Sequence, residues 1–219
     1  MSEFIIHAIP GSPFARAAMA TLEEKQTPYR VVSIPAGGLK GRAYLDLHPF
    51  GRIPVLDHNG FVLYETQAIL RYLDRVLPEP SLTPSDPKAA ARMDQVMNVN
   101  DWYLFQGVAN VIAFQRIVGP KLMGLQADEG AIAAAMPKGH VVIDELSRIL
   151  GGQRHFAGNE LSLADLLVAP QLDFLAMTPE WSSLSEKAPN LVDWLARMNL
   201  RKSLQATTWE RVSEMIGKS

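Results

Sequence analysis

The chain of 219 residues contains no cysteine. Disulfide staples, cysteine zinc sites, a CxxC redox pair and a catalytic protein thiol are thereby excluded. A reducing compartment fits this composition without being required by it. An excess of charge is also missing. The formal net charge is -2 and no window concentrates Lys or Arg, so the electrostatic footprint of a nucleic-acid partner is absent. No apolar run approaches the roughly 18 residues that span a bilayer. Phe4–Ile9 is too short for a signal h-region and has no basic flank. The expectation is a cytoplasmic protein with neither a nucleic-acid nor a membrane partner. The five histidines, His7, His48, His58, His140 and His155, show no ligand spacing. Gly37-Gly38-Leu39-Lys40-Gly41 matches neither the P-loop nor the dinucleotide fingerprint, and no G-x-S-x-G elbow occurs. No metal and no nucleotide is expected.

What is present is ordinary in amount and informative in order. Apolar residues make up 47% and charged residues 20%, close to the globular average, and the length suffices for two domains. Phe4–Ala8 reads as a buried strand ended by Pro10-Gly11. Phe14–Lys25 reads as a helix, with Ser12 at the N-cap and Pro13 at the first helical position. Tyr29–Ile34 is rich in β-branched residues and completes a βαβ unit. A short helical stretch covers about Lys40–Leu47. Two apolar runs then flank Asn59-Gly60, a strong hairpin signal, and Glu65–Leu77 has helical periodicity. The first domain is therefore βαβαββα over residues 1–78, with a mixed four-stranded sheet.

Pro78, Pro80, Pro84 and Pro87 mark a linker over 79–87, because so dense a set cannot sit inside a helix or central strand. Residues 88–219 read as all-helical. Long amphipathic stretches cover about Lys88–Ile117 and Asp128–Leu150, and two further helices cover Asn190–Asn199 and Arg201–Ile216. Ser162 and Asp165 are spaced as a capping box closed by Asp, with Leu161 and Leu166 placed to staple it. The fold class is α/β plus all-α.

Three segments of the first domain offer chemistry, each with a plainer alternative. Pro54 opens a strand. A cis Ile53-Pro54 bond would turn the Ile53 backbone groups outward for an extended peptide ligand; on this motif alone the plainer reading, a proline at a strand start with no ligand, is the favoured one. Glu65-Thr66 opens a helix, whose N-terminus accepts a carboxylate, while Glu65 is placed to hold an amino group; simple capping and dipole compensation by Glu65 is the alternative. Ser12 is an N-cap whose hydroxyl also has the geometry to stabilise a ligand thiolate.

Together, Ser12-Pro13-Phe14-Ala15-Arg16, His48-Pro49-Phe50-Gly51-Arg52-Ile53-Pro54-Val55-Leu56 and Tyr64-Glu65-Thr66-Gln67-Ala68-Ile69 resemble the glutathione transferase family in order and spacing. The linker, the helical second half and Ser162-Leu163-Ala164-Asp165 extend the resemblance over nearly the whole chain. It is most similar to the serine-type, theta- or phi-like bacterial members. The resemblance implies a thioredoxin-like domain followed by a helical domain, usually as a homodimer. It implies Ser12 as the catalytic, thiolate-stabilising residue, with Lys40, Arg52, Ile53, Pro54, Glu65 and Thr66 binding glutathione. A second substrate is expected between the domains, with Phe14, Trp102, Tyr103, Phe105 and Phe114 as its apolar contacts. Asp101 is the expected contact to the partner subunit's ligand. For the cations a solvated surface role, and for the aromatics a core role, are the alternatives.

The activity implied is conjugation of the glutathione thiolate to small hydrophobic electrophiles, with glutathione as co-substrate and no other cofactor. A non-catalytic interaction module and a glutathione-dependent dehalogenase, isomerase or peroxidase remain open. A thiol-transferase working through a protein mixed disulfide is not, because the chain supplies no cysteine.

Overall fold

The computed structural model of the chain describes residues 3–35 and 37–217. They divide into two compact units, residues 3–81 with 200–217, and Leu82–Asn199.

The first unit contains β1 (Phe4–Ala8), α1 (Pro13–Glu24), β2 (Tyr29–Ser33), a 3-10 turn at Gly38–Lys40, α2 (Arg42–Leu45), β3 (Val55–His58), β4 (Phe61–Tyr64) and α3 (Thr66–Val76). The strands form one mixed sheet in the order β2-β1-β3-β4. β1 is parallel to β2, and both other pairs are antiparallel. This is the thioredoxin-like arrangement. The hairpin between β3 and β4 turns at Asn59 (φ 53°) and Gly60 (φ 86°), two consecutive left-handed residues that match the twist of the flanking strands. Phe4, Ile6 and Ala8 alternate into the core from β1. α1 packs on α3, and its Ala15, Ala17, Ala18 and Ala20 are fully buried.

The end of the chain departs from expectation. Residues 200–217 belong to the first unit, not to the helical half assigned to 88–219. They form α10 (Lys202–Ala206) and α11 (Trp209–Gly217), which pack on α1 and on β2 respectively. The single helix expected over Arg201–Ile216 is split because Thr208 starts a new one, its hydroxyl accepting from the Arg211 N–H at 3.3 Å. The linker prolines are also tied down. The Pro80 carbonyl accepts from Lys25, and Pro87 is the first residue of α4 behind Asp86, whose carboxylate accepts from the Ala89 N–H at 2.8 Å.

The second unit comprises α4 (Pro87–Val99), a wide π-type winding over Asn100–Ala109, α5 (Asn110–Ala113), a second wide winding over Phe114–Met123, α6 (Glu129–Leu150), α7 (Leu163–Ala176), α8 (Trp181–Leu184) and α9 (Pro189–Asn199). The helix expected to run unbroken over Lys88–Ile117 is interrupted at Gln106 and Gly107, whose backbones leave the helical region. The Asn110 side chain restarts it by accepting from the Gly107 N–H at 2.7 Å. α7 is buried on nearly every side from Leu163 to Leu172, as befits a central helix. Its start is the expected Ser162–Asp165 pair: the buried Asp165 carboxylate accepts from the Ser162 N–H at 3.0 Å and hydroxyl at 2.7 Å, the Phe156 N–H at 3.0 Å and the Trp194 indole at 3.1 Å. No helix among the described residues is long and apolar enough to cross a membrane.

Candidate functional site

Strand register gathers the three candidate segments. His7 of β1 pairs with Val55 of β3, and Val55 pairs with Tyr64 of β4, so one row crosses three strands. Just beyond that row β1 runs into the turn carrying Ser12, β3 is preceded by Ile53-Pro54, and β4 is followed by Glu65-Thr66. Segments spread over more than fifty positions thus meet at one end of the sheet.

Ser12 is half-buried and is the N-cap of α1, its hydroxyl oxygen accepting from the Ala15 N–H at 3.3 Å. A hydroxyl also has one hydrogen to donate, so capping leaves the donor available for an anion. The two roles considered for Ser12 are compatible. Phe14, half-buried, lies two residues further along the same helical turn.

The Ile53-Pro54 bond is cis. Strand pairing begins only at Val55, so Ile53 lies outside every ladder of the sheet. Pro54 is buried, Ile53 half-buried, and Arg52 and Lys40 are exposed. Neither cation makes a side-chain hydrogen bond or ion pair among the described residues, so both are available to an anionic ligand. They are brought into one neighbourhood by Gly51. Its φ is 59°, and a Cβ at this position would lie only 2.8 Å from the Leu39 carbonyl oxygen. The absence of a side chain therefore seats the Lys40 turn against the Arg52 loop. The loop is held further by the Tyr44 hydroxyl, which donates to the Arg52 carbonyl at 2.6 Å; burial pushes that phenol up to about 12.

Glu65 is exposed and left-handed, with φ 68° and ψ 113°, a conformation that costs a non-glycine residue of order 1–3 kcal/mol. It occupies the N-cap of α3 but its side chain accepts no capping hydrogen bond, so of the plainer roles compensation of the helix dipole by the carboxylate is the one that stands beside ligand binding at the first-turn N–H groups. Thr66, the first helical residue, is 8% exposed.

Sequence reasoning overlooked the contribution of His48. It is 2% exposed, stacks on Tyr64 with ring centroids 4.5 Å apart, and its Nδ1 is buried without a partner among the described residues. Burial holds its pKa below the ordinary imidazole value, opposed by the charge of Glu65 and assisted by that of Arg52. The neutral ring therefore supports the residue immediately before Glu65. A lone histidine in a loop carries no sequence signal for this.

In the second unit, Trp102 and Tyr103 are 63% and 66% exposed, and Phe105 and Phe114 are half-buried. None belongs to the core, which is served on these turns by Leu104 and Val108. Asp101 is half-buried, and one carboxylate oxygen accepts from the neighbouring Asn100 amide at 2.9 Å. Among the described residues no group of three or more His, Asp or Glu is arranged to hold a metal.

Comparison with known proteins points to one family. Residues 11–76 match the glutathione S-transferase N-terminal domain, and residues 109–202 match its C-terminal domain. The chain is 33% identical over 207 residues to glutathione S-transferase hmp2 of Hypomyces subiculosus, covering 91% of this chain and 96% of that protein. It is 32% identical over 192 residues to glutathione S-transferase F14 of Arabidopsis thaliana, covering 84% and 75%. The crystal structure of glutathione transferase F2 from Populus trichocarpa superposes with a TM-score of 0.84 at 25% identity, covering 99% of this chain and all of that one. With a thioredoxin-like sheet, a helical unit and a relative of this similarity along almost its full length, the chain belongs to the glutathione S-transferase family.

Proposed function

We propose that the protein is a glutathione transferase of the serine type, theta- or phi-like, which conjugates the glutathione thiolate to small hydrophobic electrophiles. The observation that carries this reading is the single row of register that collects the Ser12 turn, Ile53-Pro54 and Glu65-Thr66 at one sheet end.

In this reading the tripeptide lies extended beside Ile53, whose backbone groups outside the ladder pair with it as a short added strand. Its γ-glutamyl carboxylate meets the N-terminus of α3 and the Thr66 hydroxyl, and its amino group meets Glu65. Arg52 and Lys40 offer positive charge to the remaining carboxylate. Pro54 shapes the backbone that Ile53 presents.

The sulfur then lies at the N-terminus of α1. A free thiol titrates near 8.5, so only a few per cent is ionised at neutral pH. One charge-assisted hydrogen bond from Ser12, worth about 1.5–3 kcal/mol, lowers that by about 1–2 units, and the helix dipole acts in the same direction. The thiol proton leaves to solvent. The sulfur lone pair forms the new bond to the electrophilic carbon, and the leaving group departs with its bonding electrons. Phe14, Trp102, Tyr103, Phe105 and Phe114 supply apolar surface for the electrophile. The protein assembles as a homodimer; exposed Phe50 (70%) and Phe61 (51%) on the first unit support an apolar contact between copies, and Asp101 serves the partner subunit's ligand.

The test is a thermal shift with glutathione together with a conjugation assay on a generic aryl halide. Stabilisation and turnover are expected. No stabilisation at millimolar glutathione overturns the reading, and stabilisation without turnover on any electrophile class assigns the protein a binding role.

A further inference from the structure

The turn that carries Ser12 rests on a residue from the far end of the chain. Ser12 follows Gly11 in a turn closed by the Ser12 N–H donating to the Ile9 carbonyl at 3.2 Å. Gly11 has φ 86°, and a Cβ placed there would lie 2.6 Å from Cδ2 and Cζ3 of Trp209 and nearer still to Cε3. The six-membered ring of the indole therefore occupies the space that any side chain at position 11 would need. Trp209, half-buried, is the first residue of α11.

The same C-terminal segment also holds α1 at both ends. In the first turn, Arg16 Nη2 donates to the Leu204 carbonyl at 3.0 Å. In the last, the Glu24 carboxylate receives Arg201 in a two-pronged contact at 2.8 and 2.9 Å and also the Ser203 hydroxyl. Residues 201–209 thus brace the helix whose N-terminus faces the sulfur in the transferase reading.

We propose that Trp209 is a positioning residue for thiol activation: by packing on Gly11 it sets where Ser12 Oγ meets the glutathione sulfur. The proposal rests on the transferase reading and adds a residue that none of the three motif segments contains. The physical reason is the steep dependence of a hydrogen bond on distance and angle. Ser12 Oγ is already held on one side by the Ala15 N–H, so its remaining freedom is that of the turn. On the other face of that turn the indole is the neighbour in contact with Gly11. Removing the ring lets the turn relax outward, lengthens the bond to the thiolate and admits water, while the groups that bind the peptide at Ile53, Glu65 and Thr66 are untouched.

The experiment measures the ionisation of bound glutathione against pH by thiolate ultraviolet absorbance, with kcat and KM alongside, in wild type, Trp209→Ala, Trp209→Phe, Gly11→Ala and the double variant. The expected result for Trp209→Ala is an alkaline displacement of the thiol titration by about one unit, matching roughly a tenfold loss of kcat near neutral pH, with KM for glutathione changed less. Trp209→Phe restores most of the wild-type titration. Gly11→Ala, which drives a methyl into the indole, displaces it likewise, and the double variant loses less than the two single losses combined. If Trp209→Ala is too unstable to study, Gly11→Ala and Trp209→Phe carry the comparison. An unchanged titration in Trp209→Ala and Gly11→Ala, or single effects that combine without coupling, overturns the proposal and leaves Trp209 as packing. Wild-type protein that fails to bind or ionise glutathione removes the transferase reading itself, a result distinct from a wild type that ionises it and variants that do so equally well.

Discussion

The Lys25 ammonium lies 2.5 Å from the Asp74 carboxylate and 2.6 Å from the Pro80 carbonyl, with no part of its side chain exposed. It joins the end of α1 to α3 and to the first turn of the linker. A buried ion pair gains little over an apolar pair of the same shape, but losing one partner leaves a charge stranded. Lys25→Met should destabilise the protein by about 3–5 kcal/mol. Lys25→Met combined with Asp74→Leu should recover much of that loss. Chemical denaturation of the three variants checks it, and equal losses in single and double variants would contradict it.

Ser12→Ala separates capping from chemistry. Loss of the N-cap costs about 1 kcal/mol of stability. Loss of the thiolate donor should raise the thiol titration by about 1–2 units and lower kcat by roughly ten- to a hundredfold. KM for glutathione should move much less. Equal changes in kcat and KM would return Ser12 to a purely capping role.

Glu65 holds its position at a cost in backbone strain, so stability and binding should part company there. Glu65→Gly removes both the left-handed penalty at φ 68° and the carboxylate. The variant should be no less stable than wild type, and by up to about 1 kcal/mol more so, despite the added freedom of glycine in the unfolded chain. Its affinity for glutathione should fall about tenfold or more, as expected for loss of a hydrogen bond to a charged amino group. Calorimetric titration with glutathione, set beside thermal denaturation, measures both.

His48 gives the fold a definite acid response. Burial depresses its pKa from the ordinary 6.5, so the folded protein favours the neutral ring. Between the folded value and 6.5 the unfolded chain binds more protons, and stability therefore rises with pH in that window. The His48 contribution is complete above about 6.5 and is lost as pH falls through the folded value. His7 is depressed in the same direction, also chiefly by burial, and adds to the effect. His48→Phe should flatten, without abolishing, the fall in stability that denaturant titration records as pH drops below about 6.5. An unaltered pH dependence would show that the imidazole is not the titrating group.

Much of this molecule is written locally, and the sequence by itself determined those parts. Ser12-Pro13 starts α1 because one side chain caps and the other has no N–H to strand. Asn59-Gly60 turns the hairpin because both residues tolerate positive φ. Ser162 and Asp165 close on each other across three residues. In each case the interacting groups lie within a few positions, so spacing reports geometry. The three candidate segments were likewise visible, each as a short motif. The tertiary structure alone decided what joins them. Register aligns His7, Val55 and Tyr64 in one row, which brings the three segments just beyond it to one end of the sheet, and His48 is buried against Tyr64. Gly107 ends a helix whose periodicity runs on past it. The chain's last segment returns to the first unit, laying Trp209 on Gly11 and Arg201 on Glu24. Those partners lie nearly the whole chain apart. Neither periodicity nor a local motif records such a contact, because it exists only once the sheet has closed and α1 has a face to offer.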